Sequence, residues 1–196
     1  MKLYYHPISP FVRKVLVVAH ENGLAGRIET VLTDTLDERL RAINPLAKIP
    51  ALALEDGTVL YDSRVICEYL DAMGPGAMLP AAGEARWRVR LLEALGDGVA
   101  DGVLRIVMEN RRPEDDRHAD VIVRQQRAVM AGLAEAERQL EPGRFTLGEA
   151  AVACAIGYLE MRLPQQHWRA AHPRLAAWYD AALQRPSLAL TGRAAA

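Results

Sequence analysis

Two cysteines among 196 residues leave little scope for disulfide chemistry. Cys67 and Cys154 both fall inside apolar helical patterns, which reads as buried, reduced thiols in a cytosolic protein. No Cys-x-x-Cys pair occurs and the five histidines show no ligand spacing, so zinc is not expected and no metal is assigned. An excess of positive charge is missing as well. Lys plus Arg number 24 against 25 Asp plus Glu, a net charge of -1, without the electrostatic footprint of a nucleic-acid binder. No apolar run approaches the ~20 residues of a membrane span. Met1-Lys2-Leu3-Tyr4-Tyr5 enters a strand pattern directly, without the apolar stretch of a secretory leader. What is left is a cytoplasmic protein of one domain or two small ones, without repeats.

The first third alternates strands and helices. Residues 2–6 read as a strand, and 11–20 as a helix with apolar side chains at 11, 12, 15, 16, 18 and 19. Asn22-Gly23 stops that helix. Residues 28–32 read as a second strand, laid parallel to the first by the helical crossover. A short helix is expected over about 37–43. The runs 51–54 and 59–61 flank Asp56-Gly57, the signal of a tight antiparallel hairpin, and a helix follows over about 63–73. This order, with a mixed sheet, is that of a thioredoxin-like α/β domain.

Gly74-Pro75-Gly76, with Pro80 and Gly83 after it, reads as a linker. Beyond it the pattern is all-α: a long helix over about 84–111, others over about 118–140 and from Thr146, and a last over about 173–184. The expected domains are residues 1–76 and 84–196. Thr146 and Glu149 stand at capping-box spacing, with Phe145 where a hydrophobic staple sits. Residues 151–157 are apolar on every side, as befits the buried centre of the second domain.

Three short segments carry the chemistry. Asn44-Pro45 breaks out of a helix, and Ile49-Pro50 leads into a strand. A proline at a strand start removes a ladder donor and often marks a cis bond in a tight turn. Such a turn exposes the N–H and C=O of Ile49. At Asp62-Ser63 a helix opens, where free N–H groups and the Ser63 hydroxyl can bind a carboxylate while Asp62 accepts from an ammonium group. Ser9-Pro10 joins the first strand to the first helix; Ser9 is a good N-cap and Pro10 suits the first helical position. In a thioredoxin-like domain this turn holds a reactive sulfur at the positive end of a helix dipole. A serine there forms no disulfide, but its hydroxyl can donate to a ligand's thiolate and favour ionisation. Lys48 offers a second carboxylate contact. Taken singly, Ser9 and Asp62-Ser63 also read as plain helix caps, and Lys48 as a surface lysine.

In combination, Ser9-Pro10-Phe11-Val12-Arg13-Lys14-Val15, Asn44-Pro45 through Ile49-Pro50, and Asp62-Ser63 before Ile66-Cys67-Glu68-Tyr69-Leu70 resemble the cytosolic glutathione S-transferases. The resemblance spans essentially the whole chain. Ser9-Pro10-Phe11 is closest to omega-like and bacterial omega-related members, which commonly carry cysteine at the first position. The resemblance implies the glutathione transferase fold, with a thioredoxin-like domain ahead of an all-helical one. It implies glutathione as co-substrate, Ser9 as thiol activator, Ile49 pairing through its backbone with the cysteinyl part, and Pro50 as the cis-proline. Asp62 and Ser63 would hold the γ-glutamyl end and Lys48 would approach the glycyl carboxylate. Serine in place of cysteine favours thiol addition or substitution on a small electrophilic acceptor, packed against the helical domain, over disulfide reduction. Tyr5, at the end of the first strand, is the alternative activator, as in classes that use a tyrosine there. A cytoplasmic homodimer engaged in detoxification completes the implied picture.

Two other classes stay open. One is a glutathione-dependent isomerase or lyase; the Ser-Ser-Cys run of the zeta type is absent, with Ile8-Ser9-Pro10 in its place. The other is a non-catalytic transferase-like module that binds another protein, although such modules usually lose the thiol-activating or γ-glutamyl residues. Weaker signals lie in the long helix. Glu93, Asp97 and Asp101 recur every four residues and are expected to pair with Arg90 and Arg105. Gly96, Gly98 and Gly102 each weaken a helix by up to ~1 kcal/mol, so close approach of another helix or room for substrate is expected there. Leu104, Met108 and Trp168 are possible acceptor-pocket residues whose simpler role is core packing.

Overall fold

The structure is a computed structural model in which residues 1–192 are described. The chain divides into two units, Met1–Arg86 together with the segment from Arg185 on, and Trp87–Gln184.

The first unit runs β1 (Lys2–Tyr5), α1 (Pro10–Glu21), β2 (Glu29–Leu32), α2 (Leu40–Ile43), β3 (Ala51–Ala53), β4 (Val59–Leu60) and α3 (Ser63–Met73). Its mixed sheet has the order β2-β1-β3-β4. β1 lies parallel to β2 and antiparallel to β3, with Tyr4 opposite Ala51; β3 and β4 are antiparallel, with Leu52 opposite Leu60. Gly57 closes the β3–β4 hairpin at φ +88, a conformation open to glycine at no steric cost. Leu3 and Leu52 from the sheet, Val12, Val15 and Val18 from α1, and Ile66 and Leu70 from α3 are buried. Each such side chain contributes ~1.5–3 kcal/mol relative to exposure. The expected linker is held firmly at its far end. The buried carboxylate of Asp71 accepts from the N–H groups of Met78 (3.0 Å) and Leu79 (2.9 Å).

The second unit contains most of α4 (Gly83–Asn110), then α5 (Ala119–Gln139), α6 (Leu147–Arg162), α7 (Trp168–Ala171) and α8 (Pro173–Ala182). Its centre is α6, buried at nearly every position from Leu147 to Leu159. The capping box at its start is formed: Thr146 Oγ1 accepts from Gly148 N–H, and the Glu149 carboxylate accepts from Thr146 N–H at 2.8 Å. A Cβ on Gly96 would stand 2.6 Å from backbone atoms of Ala151 and Val152, so α4 and α6 touch main chain to main chain. Gly102 lies against Val129 of α5, whereas Gly98 faces open space and needs no such explanation. Arg90 pairs with the buried Glu93 at 2.8 Å. Contrary to expectation, Arg105 forms no ion pair among the described residues; it is exposed, and an exposed arginine gains little from pairing. Among those residues no group of three or more His, Cys, Asp or Glu is arranged to hold a metal ion.

Trp168 is core, 2% exposed, with its ring edge-on to Tyr179 at 6.2 Å. Leu104 and Met108 are not core: they are 36% and 51% exposed.

A ninth helix, α9 (Pro186–Thr191), escaped the sequence reading, as did α7; each is too short to display a period. α9 packs on α1 rather than within the helical unit. Glu21 accepts from Arg185 at 3.0 and 2.7 Å and from the Ser187 hydroxyl, while Arg13 donates to the Leu188 carbonyl at 3.2 Å. Burial alone would raise the Glu21 carboxyl, but the hydrogen bonds from Arg185 and Ser187 outweigh it and hold it below its ordinary value. The stability this adds is present above the ordinary carboxylate range and is lost as pH falls through the depressed value.

Two expectations follow for stability. Glu21→Gln lowers the unfolding free energy at neutral pH by about 1 kcal/mol, modest because Arg185 is partly solvated, and the gap to wild type closes on acidification. Chemical denaturation across pH 3 to 7 measures both. Gly96→Ala costs about 1–3 kcal/mol because no flexible side chain is there to yield. Gly98→Ala gains up to ~1 kcal/mol; equal effects at the two sites would contradict the packing described.

Candidate active site

The sheet register gathers the three segments singled out in the sequence. Tyr4 of β1 faces Ala51 of β3, and Leu52 faces Leu60 of β4. The chain leaving β1 toward Ser9, the Ile49-Pro50 entry to β3 and the Tyr61-Asp62 exit from β4 therefore emerge at one end of the sheet.

Ser9 is the N-cap of α1, in extended conformation, with Pro10 at the first helical position. Its Oγ accepts from Val12 N–H at 3.3 Å, and its carbonyl accepts from Arg13 N–H at 3.0 Å. The hydroxyl proton is not used by that cap. Tyr5 ends β1 two residues beyond Leu3 on the same strand face, and its carbonyl accepts from Thr33 N–H at 2.8 Å.

The Ile49-Pro50 peptide is cis. Neither the N–H nor the C=O of Ile49 bonds within the chain among the described residues, and the residue is half-buried. Asn44 shapes this loop, a role the sequence reading did not see beyond a helix stop. Fully buried, it donates through Nδ2 to the Lys48 carbonyl at 2.8 Å and accepts from Leu46 N–H at 3.0 Å. Lys48 itself is exposed and forms no ion pair among the described residues.

Asp62 is the N-cap of α3 and accepts through Oδ1 from Arg64 N–H at 3.0 Å. Ser63 follows, 3% exposed, its hydroxyl without a hydrogen bond among the described residues. A second residue passed over in the sequence is His6. Its carbonyl accepts from Ser9 N–H at 3.0 Å and its Nδ1 accepts from Ile8 N–H at 3.4 Å. The signal was there in Pro7, favoured at the second position of a β-turn.

Comparison with known proteins bears on what such a site serves. The N-terminal domain of glutathione S-transferases matches residues 8–73, and the C-terminal domain of the same family matches residues 110–181. The chain belongs to the glutathione S-transferase family. Among relatives, the uncharacterized GST-like protein YibF of Escherichia coli K12 is 34% identical over 97% of this chain and 98% of its own length. A glutathione transferase family member from Pseudomonas fluorescens Pf-5, solved with bound glutathione, superposes with a TM-score of 0.94 at 40% identity, covering 99% of both chains. That protein has also been solved with S-(propanoic acid)-glutathione. A stringent starvation protein A homolog from Coxiella burnetii is 40% identical, over 47% of this chain and 44% of its own.

Two helix caps, Ser9 and Asp62, thus stand at this end of the sheet. Asp62→Ala removes the acceptor for Arg64 N–H and lowers stability by about 1 kcal/mol, whereas Asp62→Asn keeps it within a few tenths. Thermal unfolding of the two variants distinguishes a cap from a residue held only for ligand contact.

Proposed function

We propose that this protein is a glutathione transferase that holds the glutathione sulfur as thiolate at Ser9 and directs it onto a small electrophile. The observation that carries this reading is the bonding of Ser9. One lone pair of Oγ is committed to Val12 N–H at the start of the 12-residue helix α1. The O–H is left to donate, beside the positive end of the helix dipole. A donor to the charged form of a thiol lowers its pKa, and the anion is the nucleophile. Ser9 is preferred to Tyr5 because the helix terminus adds to its hydrogen bond.

The remaining contacts follow the chemistry of the tripeptide. The unbonded N–H and C=O of Ile49 pair with the cysteinyl backbone, beside the cis Pro50. The Ser63 hydroxyl and the amide groups opening α3 take the γ-glutamyl carboxylate. Asp62 keeps Oδ2 for the γ-glutamyl ammonium, and Lys48 approaches the glycyl carboxylate. Glutathione in the Pseudomonas fluorescens relative supports this assignment. Its S-(propanoic acid)-glutathione complex supports thioether formation. In that reaction the thiolate forms a carbon–sulfur bond while a leaving group departs or the neighbouring carbon takes a proton. Rate comes from thiol ionisation and alignment. Serine at position 9 offers no sulfur for a mixed disulfide.

A homodimer belongs to this reading. Trp87 and Leu91, one turn apart on α4, are 70% and 62% exposed, the kind of apolar face that a second copy covers. A cytoplasmic location, in keeping with Cys67 and Cys154 buried and outside any disulfide, and a role in detoxification complete it. The match to a stringent starvation protein A homolog, whose name gives no transferase activity, leaves one second reading, a transferase-like module that binds another protein.

Ser9→Ala separates the two. For the enzyme, kcat/KM with a general electrophile falls about 10²-fold, as when one positioned donor to a developing anion is removed. The thiol of bound glutathione then titrates near its free value. Unchanged kinetics refute the assignment of Ser9, and failure of the wild type to bind glutathione turns the reading to the module.

A further inference from the structure

We propose that His6 is a positioning residue for Ser9, bracing the turn that carries the thiol-activating hydroxyl. The inference rests on the assignment of Ser9 above and assigns a function to a side chain that this assignment leaves unused.

The connection from β1 to α1 is four residues, His6-Pro7-Ile8-Ser9, and His6 closes it twice. Its carbonyl accepts from Ser9 N–H at 3.0 Å, the bond that defines a β-turn with Pro7 at the second position. Its imidazole Nδ1 accepts from Ile8 N–H at 3.4 Å, two residues on. That second contact reproduces an Asx turn, in which an Asn or Asp oxygen captures the N–H two residues ahead. An imidazole that accepts at Nδ1 is neutral and carries its proton on Nε2. Ser9 is then fixed from both sides. Upstream its N–H is held by His6; downstream its Oγ and carbonyl receive Val12 and Arg13. The direction in which the Ser9 O–H can donate depends on both.

Without the imidazole, Ile8 N–H has no partner in the turn, and Pro7 alone must hold the backbone. Displacement of a donor by a fraction of an ångström is enough to weaken a hydrogen bond to a thiolate, and a misplacement of about 1 Å costs up to ~10²-fold in rate. His6 acts through Ser9 and needs no contact with the substrate.

The test is an ultraviolet titration of the thiol of bound glutathione in wild type, His6→Ala, His6→Asn and Ser9→Ala, with glutathione affinity measured alongside. Ser9→Ala raises the thiol pKa toward that of free glutathione. His6→Ala is expected to raise it in the same direction and to lower kcat/KM about tenfold or more, with glutathione affinity changed by no more than about twofold. His6→Asn, whose Oδ1 can accept the same N–H, restores both. If Ser9→Ala shifts the thiol and His6→Ala does not, the brace is refuted while the role of Ser9 stands. An Asn variant that behaves like Ala, in a protein of wild-type thermal stability, also overturns the proposal. No shift in Ser9→Ala removes the reading on which it rests.

Discussion

The antiparallel pairing of β1 with β3 is the constraint on which the site depends. β1 is flanked on one side by the parallel β2 and on the other by β3. Because β1 and β3 run in opposite senses, the exit of one and the entry of the other share an end of the sheet. β4, antiparallel again, returns the chain to that end. A helix begins shortly after each of the two exits, α1 after β1 and α3 after β4. Two helix N-termini and two cis peptides, Ile49-Pro50 and Tyr61-Asp62, are thus assembled by sheet connectivity. A slip of one residue in this register would invert the faces of Leu3 and Leu52 and scatter the three segments together with the core.

The helical unit is governed by a different constraint, the distance between α4 and α6. Gly96 permits contact at the backbone, and Thr146 with Glu149 fixes where α6 starts, so that its small residues from Ala150 to Ala155 fill the centre without large side chains. Packing of this kind fixes position along a helix more strictly than rows of leucine do, since no flexible side chain is available to absorb an error.

How far the sequence disclosed this varies with the range of the interactions. The strands of the first unit, the hairpin at Asp56-Gly57, the helix 63–73 and the caps at Ser9, Asp62 and Thr146 are written in local chemistry, and they are found in the structure. Asn44 and His6 were passed over because their roles are side-chain bonds to backbone a few residues away, which no composition or period reveals. Leu104 and Met108 illustrate the converse: apolar residues in a helix suggest core, yet both are exposed. Of the three glycines in α4, sequence could say that each is costly but not that Gly98 meets nothing.

The return of α9 to α1 changes the topology of the chain. The helical unit leaves the first unit at Arg86 and rejoins it at Arg185, which makes it an insertion with two attachments rather than an appended tail. During synthesis from the N-terminus, the side of α1 that receives Arg185, Ser187 and Leu188 stays uncovered until the whole helical unit has been made. The first unit to begin is therefore the last to be completed. A nick within the helical unit would still leave each fragment joined to part of the first unit.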